Sequence, residues 1–148
     1  MIKKGFTCSC FDLMHPGHIK MLQDARNQCD YLIVGLQSDP TIDRPDSKNK
    51  PIQTLEERQI MLSSVRFIDE IMIYDTEDDL YSYLKNNKPD VRILGTDYKD
   101  KDFTGKDLDI DIYYHKRDHD WSTTNLRKRI TQEENKKRLD FNGQIVVT

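Results

Sequence analysis

Short apolar runs alternate with amphipathic stretches along this chain, and the alternation predicts its elements. Residues 2–9 read as a first strand. In residues 17–28, Ile19, Leu22 and Ala25 fall on one face with Lys20, Gln23 and Asp24 between them, the pattern of a helix. Tyr31–Leu36 is continuously apolar, as expected of a strand buried on both faces of a parallel sheet. Thr54-Leu-Glu-Glu57 is a capping box, opening a helix that runs to about Val65. A strand follows over Glu70–Tyr74, then a helix over Thr76–Asn86, with Leu80, Tyr83 and Leu84 apolar. Val91–Leu94 is another buried strand and Ile110–Tyr114 a last one. Ser122 is a natural N-cap for a final helix whose periodicity fades past Arg129. Strands alternating with helices predict an α/β fold: one open, Rossmann-like parallel sheet with helices on both faces. The domain is expected over 1–131. Residues 132–148 form a tail in which Ile145-Val-Val147 suggests a short strand or a partner contact.

Between these elements the pattern breaks in two places. Asp39-Pro40, Arg44-Pro45 and Lys50-Pro51 mark Gln37–Pro51 as a loop, and Arg44, Lys48 and Lys50 make it basic. A basic loop after a parallel strand suits a flap that closes on phosphates. Residues 99–109, rich in Lys and Asp, read as a solvated excursion without chemistry. Gly95-Thr96-Asp97-Tyr98 ends the fourth strand, where a glycine often lines a ligand crevice.

Composition narrows the classes of partner. In 148 residues, charged side chains make up 33% and the net charge is −3, so nothing asks for a nucleic-acid or membrane partner. No run is apolar enough for a signal peptide or a spanning helix, and a cytoplasmic protein is expected. Cys8, Cys10 and Cys29 are odd in number and lack zinc spacing, so they read as reduced, partly buried thiols.

The chemistry concentrates between Cys8 and His18, Cys-Ser-Cys-Phe-Asp-Leu-Met-His-Pro-Gly-His. This is a strand–loop–helix turn with His15-x-x-His18 at the helix entrance. Two imidazoles three residues apart there lie on one side, where the macrodipole and unpaired N–H groups favour an anion. Gly17 permits close backbone approach, and Pro16 suits a first-turn position. The arrangement points to a triphosphate held by both imidazoles.

Phe11-Asp-x-x-His-x-Gly-His18 after a first strand resembles the signature of the HxGH nucleotidyltransferases, HUP-type enzymes that include cytidylyltransferases for glycerol 3-phosphate, phosphocholine and phosphoethanolamine. The resemblance covers about residues 2–130. Glu57-Arg58 with Arg66-Phe-Ile-Asp-Glu70 is similar to their E-R … R-x-V-D-E pattern, and Arg117 with Ser122-Thr123-Thr124 to their R-T-x-G-x-S-T-[ST] motif. Two departures stand out: Ser9 replaces a usual glycine before the Phe, and Asp120 replaces the motif's glycine.

The resemblance implies transfer of CMP from CTP to a small phosphate monoester, glycerol 3-phosphate or a similar polyol phosphate, with release of pyrophosphate. It implies His15, His18, Lys48, Lys50 and Arg117 as the catalytic set. Ser9, Cys10, Phe11, Gly17, Arg66, Gly95, Asp97, Ser122, Thr123 and Thr124 would hold the nucleotide, Asp12 and Arg58 the acceptor. Mg²⁺ is expected with the triphosphate, because three phosphates need more positive charge than these side chains supply, and a homodimer is expected by the same likeness. Two alternatives stay open. Lys88–Tyr98 is also similar to the P-D-x-L-V-K-G-G-D-Y stretch of the heptose-phosphate adenylyltransferase, so ATP could be the nucleotide, in that enzyme's manner or that of the FMN-using adenylyltransferases. The Ser9 and Asp120 departures could mark a module that binds nucleotide without turnover.

Overall fold

The computed structural model describes residues 1–139 and 143–144. Five strands make one all-parallel sheet: β1 (Lys4–Ser9), β2 (Tyr31–Gln37), β3 (Glu70–Tyr74), β4 (Val91–Gly95) and β5 (Asp111–His115). Their spatial order is β3-β2-β1-β4-β5. The chain builds outward from β1 to β3, then crosses back and builds outward the other way. The reversal falls between β1 and β4, and in such sheets a crevice opens there, beyond the carboxyl ends of the strands.

Four α-helices accompany the sheet: α1 (Pro16–Asn27), α2 (Leu55–Ser63), α3 (Glu77–Asn87) and α4 (Thr123–Lys137), of which the first three pack on its faces. Side-chain alternation sorts them. Leu32, Val34, Leu36, Val91 and Ile93 point to one face and pack with Leu22 and Ala25 of α1 and Leu62 of α2. Phe6, Ile33 and Tyr74 point to the other and pack with Leu80 and Leu84 of α3. All of β2 after Tyr31 is buried, as its unbroken apolar run predicts. At about 25 cal/mol per Å² of apolar surface, these two layers supply most of the drive to fold.

α4 differs from the rest: none of its residues is buried. It extends to Lys137, well beyond the point where hydrophobic periodicity fades, because Arg127, Thr131 and the charged side chains after it hold helix without a core face. The tail strand expected at 145–147 lies outside the described residues. Among the described residues no helix is long and apolar enough to cross a membrane, and the three cysteines are free.

Candidate active site

β1 ends in a turn that only a strained backbone can make. Phe11 and Leu13 have φ of 49° and 51°, both left-handed without being glycine. Two contacts hold them there. The Phe11 ring is buried in the core beneath His18, with ring centroids 5.4 Å apart. Gln53 Oε1 accepts the Leu13 N–H at 2.8 Å.

The histidine pair caps its own helix. The Gly17 N–H donates to His15 Nδ1 at 3.1 Å, and the His15 N–H donates to His18 Nδ1 at 3.2 Å. The exchange copies a Ser/Glu capping box with two imidazoles. The rings stack at 3.9 Å. Each Nδ1 is an acceptor, so each ring proton sits on Nε2. Burial lowers the His18 pKa to about 3, with the charges of His15 and Arg117 adding to the effect. His15 is lowered by the same causes, desolvation first, then Arg117 and His119. Both are therefore neutral donors at physiological pH. The first-turn N–H groups expected to meet an anion are spent: Gly17 on His15 Nδ1 and His18 on the His15 carbonyl at 3.0 Å. Any anion here meets the imidazole Nε2–H groups rather than the backbone. Gly17 serves the same packing, since a Cβ would lie 2.6 Å from His119 Cε1 and 2.9 Å from His15 Cε1.

Across the crevice stands the start of α4. Ser122 Oγ accepts the Asn125 N–H at 3.0 Å, and Thr123 Oγ1 donates to the Asp12 carbonyl at 3.0 Å. Helix geometry leaves the first-turn N–H groups of Thr123 and Thr124 without intrahelical acceptors. Between the two helix starts lies a cleft of about 760 Å³, walled by His15, His18, Arg117 and Ser122–Thr124. Ser9, Cys10, Gly17, Lys48, Gly95 and Asp97 also reach it. Of the two departures, Ser9 is on the wall. Asp120 is exposed and off it, its carbonyl accepting from Asn125 Nδ2 at 2.8 Å, so the added carboxylate does not enter the cleft.

Five of the expected residues lie elsewhere. Asp12 is 7% exposed, and its two carboxylate oxygens accept the N–H groups of Ile52 and Gln53, each at 2.9 Å. It fastens the end of the basic loop and lies off the cleft wall. Arg58 is 2% exposed and spends its guanidinium on the carbonyls of Cys10, Gln37, Ser38 and Gln53, tying the ends of β1 and β2 together. Phe11 belongs to the core. Lys50 is exposed and off the cleft wall. Arg66 lies after α2, where the chain returns to the amino end of β3, the end of the sheet opposite the cleft, and its guanidinium rests on Phe67.

The structure also adds residues. Arg92, buried in β4, reaches the cleft with its guanidinium against Phe103 and bonded to the Thr104 carbonyl. Asp102, Phe103 and Thr104 thus line the cleft, and the excursion at 99–109 is part of the site. Arg44 pairs with Glu77 at 2.7 Å on the same wall. His115, His119 and Trp121 complete the side near α4. The sequence signals were an arginine within a buried strand and three ring-bearing residues flanking Arg117.

Paired helix starts, one bearing His-x-x-His and the other Ser-Thr-Thr, thus face each other over a doubly wound parallel sheet. Residues 6–129 match the model of the family described as cytidylyltransferase-like, and the chain belongs to that family. Among curated relatives, it is 38% identical over 133 residues to the bifunctional protein HldE of Campylobacter concisus and 36% identical over 129 residues to that of Aliarcobacter butzleri. These alignments cover 90% and 87% of this chain but 28% and 27% of the relatives, so the chain spans about a quarter of their length. A lipopolysaccharide core biosynthesis protein from Thermoplasma volcanium superposes with a TM-score of 0.57 at 21% identity, covering 90% of each chain. A pantothenate synthetase from Thermus thermophilus gives a TM-score of 0.61 at 13% identity, covering 93% of this chain and 67% of that one. At such identities the likeness concerns the fold.

Proposed function

We propose that the chain transfers a nucleoside monophosphate from a nucleoside triphosphate to a small sugar or polyol phosphate, and that the nucleotide is ATP. The observation that carries the transfer is the facing of His15 and His18 with Ser122–Thr124 across one cleft.

A phosphate oxygen of the acceptor attacks the α-phosphorus in line. The bond from that phosphorus to the bridging oxygen breaks, and pyrophosphate leaves. The acceptor phosphate, with a second pKa near ~6, is already an anion, so no protein base is required. Nor does a thiolate nucleophile enter, because burial pushes the Cys8 and Cys10 thiols up. What remains is positioning and charge neutralisation. The Nε2–H groups of His15 and His18 donate to the α-phosphate oxygens, His18 nearest the transferring group. Arg117 and Lys48 offset the triphosphate charge. Ser122 and Thr124 hold the leaving pyrophosphate, and Thr123 fixes the start of α4 beneath it. Mg²⁺ would enter on the triphosphate, held by phosphate oxygens and water, as is usual for this ion.

Three observations favour ATP over the CTP that the arginine pattern suggested. Arg66, half of that pattern, lies at the far end of the sheet. Arg117 lies on the cleft but acts on the histidines through its charge, which serves any triphosphate. Lys88–Tyr98, similar to the heptose-phosphate adenylyltransferase, includes all of β4 and runs to the cleft through Gly95 and Asp97. The test is competition of ATP and CTP for one acceptor from a panel of sugar and polyol phosphates, with the product read by mass. A product carrying AMP is expected. A product carrying mainly CMP overturns the base, and binding without product across the panel makes the chain a nucleotide-binding module. The homodimer rests on resemblance and belongs to the same proposal, with sedimentation as its measurement.

A further inference from the structure

His115 ends β5 on the face covered by α1, and none of the steps above uses it. Its Nδ1 lies 2.7 Å from Asp24 Oδ2. Tyr113, two residues earlier on the same face, donates its hydroxyl to the same carboxylate at 3.1 and 3.2 Å. A carboxylate only accepts, so Nδ1 carries a proton, and in the neutral ring Nε2 keeps its lone pair. That Nε2 is buried, has no hydrogen-bond partner, and belongs to a residue on the cleft wall. Its chemistry is opposite to that of the other two imidazoles. His15 and His18 take backbone N–H groups on Nδ1 and offer Nε2–H. His115 gives its proton to Asp24 and offers an acceptor.

A triphosphate has no donor for such an atom, whereas the nucleoside attached to it has two kinds: a ring amine and the ribose hydroxyls. His115 lines the same cleft as His15 and His18, so one nucleotide there faces all three rings. A buried acceptor left bare is unfavourable, and a matching donor on the ligand recovers that loss. We propose that His115, held in one tautomer by Asp24 and Tyr113, accepts a hydrogen bond from the nucleoside and is a specificity-determining residue of this site. The inference rests on the nucleotidyltransferase reading for the presence of a nucleotide, and does not require turnover or a choice between ATP and CTP.

The test therefore reads binding by calorimetry, with the whole chain and Mg²⁺. ATP is compared with ITP, and CTP with UTP, each pair exchanging a ring amine for a carbonyl. The 2′-deoxy forms of ATP and CTP remove a hydroxyl instead. For the nucleotide that binds, one of the two changes should weaken affinity by roughly 10–10²-fold, the range for a mismatched buried polar group. A loss on amine exchange assigns the base, and a loss on deoxygenation assigns the ribose. In His115→Leu the same ratio should fall to within about threefold of one, with pyrophosphate affinity unchanged. His115→Gln, whose amide oxygen can stand where Nε2 does, should restore part of it. Equal affinity of the wild-type chain for all members of a series overturns the proposal, as does a ratio that survives in a folded His115→Leu variant. Should the leucine variant fail to fold, the wild-type series decides. Binding that discriminates in a chain that makes no product with any acceptor would sink the transfer reading and leave this one standing.

Discussion

Around the β1–α1 turn, hydrogen-bond partners show what the polar side chains hold in place. His18 accepts a backbone N–H on Nδ1, and the proposed reaction uses its Nε2–H. His18→Ala should lower kcat by roughly 10²–10³, the usual loss when one transition-state donor is removed, with little change in KM. A folded variant with unchanged kcat would take His18 out of the mechanism. The same residue sets an acid limit on stability. Unfolded, it takes up a proton near its ordinary pKa of 6.5; folded, only near about 3. Between those values the unfolded chain binds the extra proton, so stability falls as pH falls through the window and is unaffected above it. Melting temperature followed from pH 7 to 4 should decline less steeply in His18→Gln than in the wild type. Parallel curves would show that His18 is protonated in the folded state as readily as out of it.

At the scale of elements, the order of strands and helices was legible because each buried strand is an uninterrupted or alternating apolar run and each helix has a cap. Boundaries moved by only a few residues, except in α4, where helix continues without an apolar face to announce it. The HxGH turn and the Ser-Thr-Thr cap were legible as motifs, and the structure brings both to one cleft. What local pattern could not show is where a side chain points after a crossover. Arg58 and Asp12 stand beside cleft residues in sequence and turn inward to satisfy backbone groups. Arg66 is carried to the wrong end of the sheet by the helix before it. Conversely, Arg92 and His115 are unremarkable in sequence and gain meaning only from their strand's place beside the crevice. The basic loop yields a prediction of its own. Its far end is pinned by Asp12 to Ile52 and Gln53 and its middle by Arg44 to Glu77; between them the Ser47 and Lys48 N–H groups close a local turn on the Arg44 carbonyl. Amide hydrogen exchange there should slow on addition of nucleotide and Mg²⁺. Equal protection with and without nucleotide would reduce the loop to a connector and cost Lys48 its role.

For the whole molecule, the cleft is assembled from the ends of several segments, and no residue of α4 is fully buried. One residue bridges two of them. The carboxylate of Asp12 holds the exit of the basic loop, while its carbonyl holds Thr123 at the threshold of α4. Anything that orders one partner of Asp12 lowers the entropic cost of ordering the other. Occupancy at the two ends of the cleft should accordingly be cooperative, and reciprocally so: the acceptor would raise affinity for the triphosphate by the same factor as the triphosphate raises affinity for the acceptor. A factor of roughly five or more is the range for such couplings. Thr123→Val keeps the shape, removes the hydroxyl, and should bring the factor toward one when triphosphate affinity is titrated with and without acceptor. Identical factors in both proteins would mean that the ends fill independently. If the link holds, the β1–α1 turn does more than present two imidazoles: it makes a half-filled cleft rarer than independent filling would.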